Sequence, residues 1–170
     1  KKRTDSWWDN DKANEMMGFG ESFVRHDKGD LAGQLVTIEP WEKFGYAQMY
    51  GWMHKDDKGR IVRVIREVYW QVPKKNGKTL IGVGAMSYAM FGGEEHGADI
   101  YCAASDYDQA QYAALPFALT IQNSPPLYAN TQIYKGKKDT IQGATYPYTE
   151  NGLGYRNTCL AMTKNALKIE

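Results

Sequence analysis

The stretch VPKKNGKT, residues 72–79, decides how the rest of this sequence is interpreted. It ends in Gly77, Lys78 and Thr79, the order that closes a phosphate-binding loop. In such a loop, backbone amides and a lysine surround the anion, and the hydroxyl ligates Mg²⁺. The strict form of the motif opens with glycine, whereas Val72 stands at that position here. The match therefore needs support from the residues around it.

The flanking residues predict a strand before the loop and a helix after it. Residues 61–72 are rich in β-branched and aromatic side chains, which favours a strand. Residues 78–91 predict a helix that Gly92-Gly93 ends. Because valine before proline is extended, the turn must lie within residues 73–77, at Asn76-Gly77. This order favours a nucleotide site, while a plain strand–helix turn with a capping threonine and a solvated lysine stays open as the alternative.

The rest of the chain continues the alternation of strands and helices. Residues 98–104 predict a buried strand, and Ser105 is expected to cap a following helix that Pro116 kinks or interrupts. Residues 40–50 predict a helix with proline in its first turn. The pattern predicts an α/β fold with a mostly parallel sheet flanked by helices. Smaller elements are predicted as well: part of a helix at 14–17, a turn at 56–59, and strands at 132–134, 140–142 and 158–162.

Composition narrows the class of protein. The 170 residues are enough for one domain, or a piece of one, with a sizeable core. Cys102 and Cys159 give neither a disulfide framework nor zinc-site spacing, which indicates a reducing compartment. There is no long apolar run and no signal-peptide pattern. Net charge is only +1, but residues 53–79 carry eight Lys/Arg against three acidic residues, which suits an anionic ligand or, equally, a solvated face.

Four segments in order resemble the ATPase region of the large subunit of tailed-bacteriophage terminases, the DNA-packaging motor. VPKKNGKT fits that family's V-P-x-K-N-G-K-[ST] loop, in which valine is the usual opening. The upstream segment, residues 23–52, resembles the family's stretch that ends in a Pro-Trp-Gln helix. Downstream, ADIYCAASDYDQAQ (98–111) and NSPPL (123–127) resemble its strand followed by Ala-Ala-Ser/Thr and Asp-Gln-Ala, and its Ser-Pro-x-Leu segment.

The resemblance implies a P-loop NTPase-type fold that binds ATP and Mg²⁺, with residues 1–38 as a polar lid segment and 39–170 as a partial ATPase core. Lys78 and Lys74 would be catalytic, and Lys74 lies where many members have an arginine that acts on the γ-phosphate. Trp41 and Glu42 lie where the adenine-contacting helix begins, with glutamate in place of glutamine. The residues expected to bind the nucleotide are Pro73, Lys75, Asn76, Gly77, Lys78, Thr79, Trp41 and Glu42, with Thr79 also ligating Mg²⁺.

The resemblance also implies parts that this sequence does not show. No apolar run ends in Asp-Glu, the pair that holds Mg²⁺ and activates water, since Glu94-Glu95 follows glycines. We therefore expect that pair and a nuclease domain after Glu170, and a fragment that hydrolyses ATP weakly or not at all. Ser105, Asp106 and Gln109 are candidates for DNA contact, with helix capping as the alternative for Ser105 and Asp106.

The implied setting is the cytoplasm of an infected bacterial host, with no membrane partner. The implied partners are double-stranded DNA, the terminase small subunit, the portal protein and further copies in a homo-oligomeric ring on the procapsid. Two other functions stay open: a non-catalytic remnant with a degenerate loop, and a helicase-like P-loop ATPase.

Overall fold

A four-stranded sheet with helices packed on it forms the centre of the fold. The computed structural model describes residues 5–93, 97–137, 140–150 and 153–163, so Glu94 and Glu95 lie outside the described residues. Along these residues no helix is both long and apolar enough to cross a membrane. The elements, in chain order, are β1 (Trp7–Trp8), α1 (Asn10–Phe23), α2 (Pro40–Gly51), β2 (Trp52–Lys55), β3 (Ile61–Arg63), α3 (Lys78–Phe91), β4 (Asp99–Ala104), α4 (Tyr107–Gln122), α5 (Pro125–Tyr128), β5 (Gln132–Lys135), β6 (Ile141–Glu150) and β7 (Leu153–Thr163).

The main sheet is mixed. Its strand order is β4-β7-β6-β5, and β4 runs parallel to β7 while the other neighbours are antiparallel. The predicted α/β class is confirmed, and within the described residues its parallel pairing is found at β4–β7. The strands predicted at 140–142 and 158–162 fall at the start of β6 and near the end of β7, which together form a longer hairpin. Consecutive strands that only a few residues separate in the sequence can only pair antiparallel, which explains the mixed sheet.

The strand predicted over residues 61–72 is mostly absent. Strand β3 ends at Arg63 and pairs antiparallel with β2, in a small separate sheet of order β1-β2-β3. Residues 64–77 form no strand, and Arg66 to Tyr69 are exposed. High β propensity reflects how well a side chain fits a packed, pleated surface, and these residues have no neighbouring strand to supply one. The loop at 73–77 therefore follows an irregular segment rather than a strand of the main sheet.

Helix α3 lies between two hydrophobic clusters. The sheet cluster joins α3 and α4 to β6 and β7, and the helix cluster joins α3 to α1 and α2. Gly84 permits the second contact, because a Cβ there would lie 2.8 Å from the hydroxyl oxygen of Tyr46. Buried members of the sheet cluster include Val83, Met90, Phe117, Ile121, Ala144 and Cys159. Those of the helix cluster are Met16, Ile38, Tyr46, Tyr50, Ile81 and Tyr88.

The helix boundaries confirm most predictions and correct one. α2 and α3 lie where predicted, and the N–H of Gly92 donates to the carbonyl of Tyr88 (2.8 Å) at the end of α3. The cap of α4 is Asp106 rather than Ser105, because the Asp106 carboxylate accepts from the N–H of Gln109 at 2.8 Å. Of the two effects expected of Pro116, a kink or an interruption, the interruption is absent, since α4 continues through Pro116 and packing of its buried face offsets the missing hydrogen bond.

The two thiols lie on neighbouring strands and are both free. Burial raises the pKa of Cys102, and burial together with nearby Cys102 raises the pKa of Cys159 to about 12. Only the thiolate reacts readily with alkylating agents. We expect iodoacetamide at pH 8 to modify half-buried Cys102 slowly and buried Cys159 only after unfolding, as read by peptide mass spectrometry. Equal labelling of both in the native protein would contradict this packing.

Candidate functional site

The loop before α3 holds two residues in the left-handed backbone region. Gly77 is the N-cap of α3 with φ 68° and ψ 10°, as its place in the motif predicts. The second is Lys75 (φ 73°) and not Asn76, which the sequence suggested for this role. A lysine in this region is uncommon. The turn leaves the first N–H groups of α3 without partners inside the helix, which is the local structure that attracts an anion.

A cavity of about 370 Å³ opens beside this loop, between α1, α2 and α3. The loop contributes Asn76 and Gly77 to its wall, and the first turn of α2 contributes Trp41 and Glu42. The loop residues and the α2 residues are 34 or more positions apart in the sequence, and they were predicted to belong to one site. In the structure they line one cavity. The remaining lining residues are Met16, Gly20, Val24, His26, Val36, Thr37, Ile38, Glu39, Tyr46, Leu80, Ile81 and Gly84.

The other predicted site residues do not line this cavity. Pro73, Lys74 and Lys75 are exposed in the loop, and Lys78 and Thr79 are the first two residues of α3. Within the described part of the chain, no ion pair involves any of the three lysines. Their positive charge is thus available to an anion at the start of α3.

Glu42 connects the first turn of α2 with the loop. Its carboxylate accepts from the N–H of Glu39 at 2.9 Å and so caps the helix. Its other oxygen lies 3.3 Å from the position that a Cβ on Gly77 would take. Because glutamine can also accept in this capping arrangement, the glutamate differs from it mainly in its charge beside the loop.

Tyr46 fixes α2 to α3 beneath the cavity. Its buried hydroxyl donates to the carbonyl of Ile81 at 2.8 Å. Burial raises the pKa of Tyr46 well above its ordinary value, and the nearby Glu42 and Tyr50 raise it further. The phenol therefore stays protonated and acts as a permanent donor that holds the wall of the cavity in place.

Residues 24–39 contribute a second wall, which no sequence pattern predicted. The N–H of Val36 donates to the carbonyl of Val24 (2.9 Å), and that of His26 donates to Gln34 (3.0 Å), so the segment folds back on itself. The turn between them contains Gly29 (φ 78°), and Gly33 (φ 81°) follows. The glycines of DKGDLAG, between Val24 and Val36, were the available signal for this turn.

Ser105, Asp106 and Gln109 lie at the carboxyl end of β4, away from the cavity lining. The Ser105 hydroxyl donates to the side-chain oxygen of Gln109, and Asp106 accepts from the Gln109 N–H. Their described contacts are thus those of a helix cap, which the sequence analysis gave as the alternative to DNA contact.

Together, the fold and the site define a class: α/β proteins in which a lysine-bearing loop precedes a helix beside a cavity. Residues 40–145, more than half of the chain, match the family model of the terminase large subunit, ATPase domain, and the chain belongs to this family. The resemblance stated above is confirmed.

A solved structure supports the fold. The crystal structure of the HK97 bacteriophage large terminase matches with a TM-score of 0.67 and 18% identity, over 94% of this chain. The chain spans 29% of the length of that protein. No curated protein matches this sequence.

Proposed function

We propose that this chain is the nucleotide-binding part of a terminase large-subunit ATPase that uses ATP with Mg²⁺. The observation that carries the proposal is the shared cavity, where Asn76 and Gly77 of the loop meet Trp41 and Glu42 of α2. A nucleotide has an apolar base and a charged phosphate chain. The site offers a matching pair of surfaces, an aromatic wall on α2 and the start of α3, which follows a lysine-bearing loop.

The roles of the residues follow from this arrangement. We assign Lys78, at the first position of α3, to the outer phosphates, and the hydroxyl of Thr79, at the second, to Mg²⁺. When bound, Mg²⁺ supplies charge stabilisation for phosphoryl transfer. Lys74 adds positive charge but lacks the planar guanidinium of an arginine. It can neutralise a phosphate, but it cannot form the bidentate hydrogen bonds to two oxygens that an arginine forms.

We assign Glu42 to the base, at the point where the α2 side of the cavity meets the loop. Since one of its oxygens already accepts from Glu39, the other is left to accept from an exocyclic amino group such as that of adenine. An ionised carboxylate cannot donate, so a keto oxygen at the same place would be repelled. This favours ATP over GTP.

In the intact protein, we propose that ATP use drives packaging of double-stranded DNA into procapsids. The proposed partners are the terminase small subunit, the portal protein and further copies in a ring. Membership of the family supports this role.

Calorimetry with a non-hydrolysable Mg-ATP analogue tests the nucleotide site. We expect about micromolar affinity for the 170-residue chain, and at least a tenfold loss in Lys78→Ala, because a charge-assisted contact to phosphate contributes about 1.5–3 kcal/mol. Lys58→Ala, an exposed lysine in the turn between β2 and β3, is the matched control and should bind like the wild type. Equal affinity in Lys78→Ala, or no binding by the wild type, would instead support a non-catalytic remnant.

A further inference from the structure

Trp70 joins the segment before the loop to helix α2. Its ring meets the ring of Tyr46 edge-on at a centroid distance of 5.3 Å and that of Trp41 at 6.3 Å. Tyr46 is the buried residue that fixes α2 to α3, and Trp41 lines the cavity. Edge-to-face contacts at these distances stabilise a specific orientation of the rings. Trp70 thus contacts two residues that line the cavity, without lining it itself.

Gly45 gives this ring its place on α2. A Cβ at position 45 would lie 2.4 Å from Cζ2 and 2.8 Å from Cη2 of Trp70. Both distances are well inside the roughly 3.5–4.0 Å of a carbon–carbon contact. Glycine is unfavourable in a helix interior, so its presence here is explained by the close approach of the indole to the helix backbone.

The segment that carries Trp70 has few other attachments. Among the described residues, no backbone hydrogen bond joins residues 65–76 to another element, whereas the preceding Val64 N–H donates to the carbonyl of Trp52 at 2.8 Å. Arg66 to Tyr69 and Gln71 are exposed, while Trp70 is half-buried. The packing of the Trp70 indole on α2 therefore holds this segment in position, as inter-strand hydrogen bonds hold a strand.

We propose that Trp70 is a positioning residue for nucleotide binding. By packing on α2, it sets the separation between the base side of the cavity at Trp41 and the loop that ends at Gly77. This inference rests on the proposed function, because it assigns those two surfaces to the base and to the phosphates. A ligand that spans both surfaces depends on their separation, whereas a ligand that occupies the loop alone does not.

The test compares Mg-ATP with Mg-tripolyphosphate, which carries the phosphate chain without the base, by calorimetry on the full chain. In Trp70→Ala we expect the Kd of ATP to rise about tenfold and that of tripolyphosphate to stay within about twofold, since only the spanning ligand loses preorganisation. Trp70→Phe, which keeps an aromatic ring, should recover most of the ATP affinity. A purely structural role would change the two affinities together, or neither.

Gly45→Ala tests the same contact from the helix side, and keeps the proposal testable if Trp70→Ala fails to fold. We expect the same selective loss of ATP affinity, smaller in a Trp70→Phe background where the ring is shorter. Gly18→Ala, in α1, is the control, because a Cβ there meets nothing within 4 Å.

The outcomes separate this inference from the proposed function. An unchanged ratio of the two affinities in both Trp70→Ala and Gly45→Ala overturns the role of Trp70. Equal wild-type affinity for ATP and tripolyphosphate also overturns it, while leaving phosphate binding by the loop in place. If the wild type binds neither ligand, both proposals are wrong.

Discussion

Gly77→Val should weaken Mg-ATP binding about a hundredfold, close to 2.7 kcal/mol of binding free energy. The backbone at Gly77 has φ 68°, and a β-branched residue is a genuine outlier in that region. The left-handed conformation costs an ordinary L-residue about 1–2 kcal/mol, so the loop is expected to rearrange and turn the first N–H groups of α3 away from the anion. A Cβ at this position would also approach the Glu42 carboxylate at 3.3 Å. Calorimetry measures the affinity, and urea unfolding measures the stability.

The control for Gly77→Val is Gly59→Val. Gly59 has φ 77° in the turn between β2 and β3, and a Cβ there meets nothing within 4 Å. Both variants should lose a similar free energy of unfolding, about 1–2 kcal/mol, because they impose the same backbone strain. Only Gly77→Val should lose affinity. If Gly59→Val weakens ATP binding as much, the effect is global destabilisation and the loop has no special part in it.

Local signals in the sequence were enough to predict the helices at the site. Pro40 in the first turn of α2 and Gly77 at the start of α3 act on the backbone through a few neighbouring atoms, and the structure places both helices as predicted. The turn at residues 56–59 depends on the same short-range rules and is also confirmed, since the N–H of Gly59 donates to the carbonyl of Asp56 at 2.9 Å.

The strand over residues 61–72 was not predictable in this way, because a strand is stabilised by partners elsewhere in the chain. Its β-branched residues fit a strand equally well whether or not a neighbour exists, and only the first three residues find one, in β2. The position of Trp70 was not predictable either, because it depends on distant residues. Its position is set by Gly45 and Tyr46, about 25 residues earlier, and nothing in the local pattern of residues 64–72 indicates that contact.

The second wall of the cavity was missed for a related reason. Residues 24–39 are largely polar, and their apolar residues do not recur at the spacing of a helix or a strand. They therefore predict neither element. They are held by pairs such as Val24 and Val36, and by the carboxylate of Glu21, which accepts from the N–H of Ile38 at 3.2 Å. Lys43 of α2 contacts the same carboxylate at 2.9 Å and is the main cause that lowers its pKa. These contacts join residues far apart in the sequence, and they form only once α1 and α2 are packed together.

Asn157→Leu should destabilise the protein by about 2–6 kcal/mol, the largest loss of stability that we predict. Asn157 is 2% exposed in β7, where its amide NH₂ donates to the carbonyl of Met90 and its oxygen accepts from the N–H of Ala98, both at 2.9 Å. One side chain therefore ties the last turn of α3 and the residue before β4 to the same strand. Leucine has a similar size but leaves two backbone groups without partners, each costing about 1–3 kcal/mol.

The free energy of unfolding in urea measures this loss, with Asn130→Leu as the control. Asn130 is exposed, so the same substitution there should change stability by no more than about 0.5 kcal/mol. A small effect of Asn157→Leu would mean that Met90 and Ala98 find other partners and that the packing of α3 on the sheet does not depend on this residue. Because α3 carries the loop at its other end, a large effect should be accompanied by weaker ATP binding even where the variant is still folded.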